Sequence, residues 1–195
     1  MIVDEINKLK KTDLSKVISK RMKEFASVWD LFGELCFCIL TANFNAERCI
    51  KIQNEIDFLS GGEKLAVELR RLGHRFPNTR AKYISEAKKF RKLLIDLPEN
   101  GKDAREILVK NFKGIGMKEA SHFLRNIGYK DVAIIDFHII DLLKREGMIS
   151  FEKALNKRKY LETEKILEEL AKKVNLNLAE LDLYLWYIET GKVLK

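Results

Sequence analysis

Apolar residues return every three or four positions along most of the chain. Leu14, Val17, Ile18 and Met22 form one such stripe, Leu65, Leu69 and Leu72 a second, and Ala87, Phe90 and Leu94 a third. A period of 3.6 residues puts each set on one face of an α-helix, so the pattern predicts helices joined through their apolar faces. The stripes stop at "SGG" (60–62), "GHRFPNTR" (73–80) and "DLPENGK" (96–102), and the last two hold the only prolines, Pro77 and Pro98. Two stretches break the helical period: "VAII" (132–135) is largely β-branched and "LNLAELDLYL" (176–185) alternates. Neither has a convincing strand to pair with, so the first reads as a buried connector and the second as a terminal helix. The expectation is an all-α chain of ten or so short helices in two interwoven lobes, divided near residues 96–102, with no repeat or low-complexity segment.

Composition narrows the class. At 195 residues with 46% hydrophobic content the chain can build a real core and is no disordered tail. Lys and Arg number 37 against 29 Asp and Glu, a formal charge of +8, which favours polyanionic partners without proving one. No apolar run approaches the roughly 18–20 residues that span a bilayer, and the N-terminus lacks a signal-type apolar core, so the expectation is a soluble, intracellular protein with no membrane partner. Cys36, Cys38 and Cys49 form no CxxC pair, have no histidine at ligand spacing, and read as buried thiols.

Chemistry concentrates in "NFKGIGMKEASHFLRNIG" (111–128). Gly114 and Gly116 flank Ile115 at a tight turn between helices expected at 102–112 and 117–127, which reads as a helix-hairpin-helix. In such a hairpin the outward backbone N–H groups and the start of the second helix make an anion nest suited to a phosphodiester. An ordinary tight turn between packed helices is the plainer alternative. Lys118 tilts the choice: it falls in the first helical turn, where the helix dipole disfavours a cation, and a local misfit of this kind points to function. A lysine at a helix N-terminus, beside another cation and partly desolvated, becomes a nucleophile; on a basic surface it can also be a phosphate contact. Asp136 in "DVAIIDFHIIDLLKREG" (131–147) stands where an N-cap is expected, and a carboxylate there can also face the mouth of the hairpin. Eighteen residues separate it from Lys118, enough for one helix and a return connection.

"FKGIGMKEA…IIDFH" resembles the helix-hairpin-helix and Gly/Pro-rich loop with aspartate of the base-excision DNA glycosylase superfamily. The resemblance makes Lys118 the Schiff-base lysine and Asp136 the family aspartate, with Lys113 standing where the hairpin usually has proline. It implies that Asn43, in "LTANFNAERC" (40–49), fills the hole left by an extruded nucleotide. Arg48 and Arg80 would contact the orphaned cytosine, Phe76 in "FPNTRAKYI" (76–84) would be a wedge, and His138 would contact phosphate. Over its whole length the chain is similar to the compact archaeal-type (type 2) 8-oxoguanine DNA glycosylase/AP lyases, in which a late tryptophan and the terminal lysine, here Trp186 and Lys195, help recognise the damaged base. It lacks the N-terminal β-rich domain of the eukaryotic type and the four cysteines of the iron–sulfur members. His122, one turn after Lys118, is a further position for lining the pocket or for the core. The hairpin carbonyls of Lys110, Phe112 and Ile115 are the family's place for a monovalent cation.

The resemblance therefore implies one helix-hairpin-helix glycosylase unit over residues 1–195, hairpin at about 102–127, acting as a monomer on double-stranded DNA containing oxidised guanine, in a cytoplasmic, nucleoid-associated setting. No redox cofactor or catalytic metal is implied. The base must leave the stack before any side chain can reach it. Lys118 would then attack C1′ while Asp136 stabilises positive charge on the sugar, and the imine would permit β-elimination. Two alternatives stand beside this reading: a glycosylase for another oxidised base, and a non-catalytic hairpin module that binds DNA.

Overall fold

A computed structural model describes residues 1–150 and 155–195 of the chain. The described residues form eleven α-helices and one 3₁₀ segment, with no strand among them. The helices pack into two hydrophobic cores.

The first core gathers α3 (Leu31–Thr41), α4 (Ala46–Glu55), α5 (Gly62–Arg71), α6 (Pro77–Ala87), the 3₁₀ segment Lys88–Leu94, α7 (Gly101–Asn111) and α8 (Met117–Asn126). Its axis is α3, whose "ELCFCIL" run has no polar face beyond Glu34 and is buried from Gly33 to Thr41. A helix apolar all round has nowhere to go but inside. Cys36, Cys38 and Cys49 are free and buried, as expected, and burial pushes the Cys49 thiol up to about 12. The second core joins α1 (Ile2–Leu9) and α2 (Leu14–Ala26) to α9 (Phe137–Arg145), α10 (Lys157–Lys173) and α11 (Leu178–Thr190).

The lobes therefore do not divide near 96–102. Leu94, Ala104 and Leu108, on either side of that break, belong to one core. The chain passes between cores twice, after α2 and again at Val132–Ala133, where consecutive residues belong to different cores. A break at a proline marks the end of a helix but says nothing about which helix it packs on. The second passage is the "VAII" stretch, which carries no regular secondary structure and is largely buried. The "LNLAELDLYL" stretch falls mostly within α11, capped by Asn177.

Short polar caps fix several helix starts. Asp30, Asn45, Asn100, Asp136, Asn156 and Asn177 each accept a backbone N–H of the first turn. Such caps satisfy orphan donors for about 1 kcal/mol apiece. Two of them, Asn45 and Asp136, also set elements that border the cavity described next.

Candidate active site between the two cores

The hairpin joins α7 to α8 as expected, within a residue of the predicted ends. Gly114 has φ +85°, and a Cβ there would lie 2.3 Å from Cδ2 of the Tyr83 ring, so both conformation and space require glycine. Gly116 is extended rather than left-handed; it caps α8 and its N–H donates to Glu119 Oε2 at 3.3 Å. Lys113, at the position of the family proline, lies over the Tyr83 ring at 5.8 Å. Of the three hairpin carbonyls expected to hold a cation, that of Phe112 accepts the Ile115 amide at 3.1 Å, and its second lone pair remains for another partner.

Beyond the hairpin, α8 presents Lys118, His122 and Arg125 at i, i+4 and i+7, and all three line one cavity of about 1200 Å³. The opposite wall comes from the second core: Asp136 at the start of α9, and Asp182 and Trp186, one turn apart on α11. Lys118 and Asp136 thus line one cavity from helices that pack in different cores. Asp136 is also the N-cap of α9, accepting Ile139 N–H at 3.1 Å through one oxygen, Oδ1. The same residue thus caps the helix, as one of the two sequence readings has it, and lines the cavity. Lys118 differs from expectation in its partner. Its ammonium lies 3.2 Å from Glu119, an anion, where the sequence reading set a second cation beside it.

The remaining walls contain groups that lack partners. His122 is buried with its ring edge-on to Phe37, and burial holds the imidazole well below its ordinary pKa, with the charges of Arg125 and Lys118 adding to the effect. Its Nε2 and the indole Nε1 of Trp186 are buried without a hydrogen-bond partner. Unpaired buried nitrogens are rare enough in folded proteins to call for an explanation. His138 packs edge-on to Trp186 at 5.2 Å, and Phe137 beside it is exposed although aromatic. Lys195 lines the cavity, and its Nζ bonds Glu34 Oε2 at 2.8 Å and Gln53 Oε1 at 2.5 Å and lies over Phe37. The partner of this ammonium is thus a buried carboxylate, which the sequence reading did not foresee.

On the rim, Asn43 has φ +57° in the exposed turn between α3 and α4. Arg48 is exposed on α4 near the Phe44 ring. Arg80 is buried, and its Nη2 donates to the Ala42 carbonyl at 2.5 Å, bracing the turn that carries Asn43. Phe76 begins α6, and its N–H donates to Nδ1 of His74, whose Nε2 lies 3.0 Å from the Leu40 carbonyl. Sequence reading passed over His74, Arg125 and Asp182. Asp182 left a signal, an acid flanked on both sides by leucine. Arg125 left one too, continuing the stripe of Lys118 and His122.

Residues 18–176 match the family model described as 8-oxoguanine DNA glycosylase. A relative from Korarchaeum cryptofilum, named 8-oxoguanine DNA glycosylase/AP lyase, is 49% identical over all of this chain and 98% of its own. The crystal structure of the Methanocaldococcus jannaschii 8-oxoguanine glycosylase/lyase, in complex with a 15mer DNA containing 8-oxoguanine, is 51% identical and superposes with a TM-score of 0.96 over the whole of both chains. That of the Thermotoga maritima 8-oxoguanine DNA glycosylase gives 0.93 at 41% identity, covering this chain entirely and 98% of its own. With the family model spanning most of the sequence and relatives of this identity matching end to end, the chain belongs to the 8-oxoguanine DNA glycosylase family.

Proposed function

We propose that the protein is an 8-oxoguanine DNA glycosylase/AP lyase in which Lys118 is the nucleophile and Asp136 the electrostatic partner. The observation that carries the assignment is that these two side chains, one from each core, line the same cavity. The amine must first be released from Glu119. Its nitrogen then bonds to C1′ of the extruded nucleotide as the N-glycosidic bond breaks, the electron pair leaving with the base, which takes up a proton. The Asp136 carboxylate stabilises positive charge on the sugar in that step. Ring opening gives the imine, loss of a C2′ proton follows, and the 3′ phosphate departs. A cation held by the carbonyls of Lys110, Phe112 and Ile115 would add positive charge near the phosphate backbone.

The unpaired nitrogens of His122 and Trp186 are what the polar edge of a flipped base would satisfy, and a site built to be completed by hydrogen bonds rejects bases that cannot complete it. Asn43 and Phe76 enter the gap in the stack, Arg48 faces the opposite strand, and Arg80 acts by bracing the Asn43 turn. Gly114 and Gly116 let the hairpin backbone meet phosphate, and His138 takes a further phosphate contact. The protein works as a monomer on duplex DNA and so associates with the nucleoid. Lys118→Gln is expected to lose base release and the borohydride-trapped adduct on an 8-oxoguanine duplex while keeping its DNA affinity. Asp136→Asn is expected to keep the cap, since Asn caps as well as Asp, yet to lose most excision. A Lys118→Gln protein that still forms the adduct would overturn the assignment.

A further inference from the structure

Behind the catalytic cavity lies a closed ring of buried hydrogen bonds that the reaction itself does not use. Arg105 of α7 donates from Nη1 to Ser121 Oγ at 3.2 Å. Ser121 Oγ is 3.2 Å from the Tyr160 hydroxyl, which is 2.7 Å from the Ala133 carbonyl. The Ala133 N–H donates to Glu164 Oε1 at 2.8 Å, and Glu164 closes the circuit on Arg105 through two bonds of 2.5 and 2.7 Å. A tyrosine hydroxyl has one proton and two lone pairs. The shortest contact assigns the proton to Ala133, which leaves the lone pairs for the Ser121 hydroxyl and for the Ile135 N–H at 3.3 Å. The same oxygen is 3.4 Å from the Met117 carbonyl. It therefore sits against the residue before Lys118 and the residue before Asp136.

We propose that Tyr160 is a positioning residue for the reaction, its hydroxyl holding the irregular connector that carries Asp136 in register with the helix that carries Lys118. The inference rests on the catalytic reading of those two residues. Residues 132–136 have no helix or sheet to fix their backbone, so the polar groups of Ala133 and Ile135 find their partners in Tyr160 and Glu164. Ser121 lies one turn beyond Lys118, so the link on the other side is to a rigid helix. Burial pushes the phenol pKa up, which keeps the hydroxyl neutral and able to donate. Members of a hydrogen-bonded ring strengthen one another, and a displacement of about 1 Å in a reacting group costs on the order of 100-fold in rate.

Tyr160→Phe keeps the ring and removes only the bridge. On an 8-oxoguanine duplex at saturating enzyme, well below the melting temperature, the single-turnover excision constant is expected to fall by about 10- to 100-fold, with DNA affinity within about twofold of the parent. On an Asp136→Asn background the same change is expected to cost less than about threefold, because the carboxylate it positions is already gone. A purely structural role would lower the melting temperature and leave the single-turnover constant alone; that result, or full multiplicative loss in the double variant, would overturn the inference. If Tyr160→Phe does not fold, Ser121→Ala cuts the bridge on the α8 side, and an unchanged excision constant there would overturn it equally. Lys118→Gln and Asp136→Asn run alongside separate the two failures. If they match the parent, the catalytic reading falls; if Lys118→Gln is dead and Asp136→Asn loses most excision while Tyr160→Phe matches the parent, only the role of Tyr160 falls.

Discussion

Replacing Lys195 by Met tests how the end of the described chain is tied to the site. The methionine keeps the apolar stem over Phe37 and removes the ammonium from Glu34. Glu34 is 4% exposed on the buried helix α3, so it would be left as a buried carboxylate without its cation. Breaking a buried pair from one side costs about 3–5 kcal/mol. Two amides stay on the carboxylate, Asn126 Nδ2 at 2.6 Å and Gln53 Nε2 at 3.4 Å, and Lys195 is itself partly exposed. The expected loss is accordingly about 2–3 kcal/mol, which for a chain of this size is a fall of roughly 4–12 °C in melting temperature. The assay is thermal unfolding followed by circular dichroism, with Lys195→Met/Glu34→Gln beside it. The double variant removes the stranded charge and is expected to recover to within about 1 kcal/mol of the parent. Excision of 8-oxoguanine should fall more in the single variant than nicking at a preformed abasic site, which needs Lys118 but no base. A single variant that melts within about 1 °C of the parent, or no better restored by Glu34→Gln, would refute the reasoning.

Gly114→Ala forces a left-handed backbone costing about 1–2 kcal/mol and drives a methyl into the Tyr83 ring, so the hairpin should distort, duplex binding weaken, and the slope of affinity against salt become shallower; unchanged salt dependence would detach the hairpin from phosphate binding. Asp182 is raised to about 6, first by burial, with the charge of Asp136 adding and that of Arg125 opposing. Because the folded form holds its proton more tightly than the unfolded chain, where an aspartate has its ordinary value of 3.8, stability from this group is present below that value and is lost as pH rises to about 6. Asp182→Asn should flatten the dependence of melting temperature on pH across that window, and a slope equal to the parent's would place the titration elsewhere.

Much of the fold was legible because amphipathic periodicity is local. The stripes at 14–22, 65–72 and 87–94 each fell on helical segments, and the aperiodic run at 132–135 was correctly kept out of one. Lys118 and Asp136 were legible for a related reason: a lysine at the wrong end of a helix and an aspartate at a cap are misfit and fit, respectively, to the few residues around them. What the sequence hid is long-range. Lys195 and its partner Glu34 stand 161 positions apart, and Arg105 and Glu164 stand 59 apart. No period or spacing pairs them. The brace that Arg80 makes was invisible because its acceptor is a backbone carbonyl, a group every residue offers. The division into cores was misjudged because the first two helices carry ordinary apolar stripes that do not say which end of the chain completes them.

That last arrangement bears on how the protein is made. The stripes of α1 and α2, with Ile6, Ile18 and Phe25, leave the ribosome first, yet the second core in which they are buried includes Ile139, Leu143, Leu167 and Leu183 from the later part of the chain. About a hundred further residues must be synthesised before those partners begin to appear, on the order of ten seconds at typical elongation rates. During that interval the first core can close around α3, while the opening helices wait with apolar faces in water. The nascent chain therefore carries an aggregation hazard in α1 and α2, and the seam that holds the cavity comes into being only when α9 to α11 arrive to cover it.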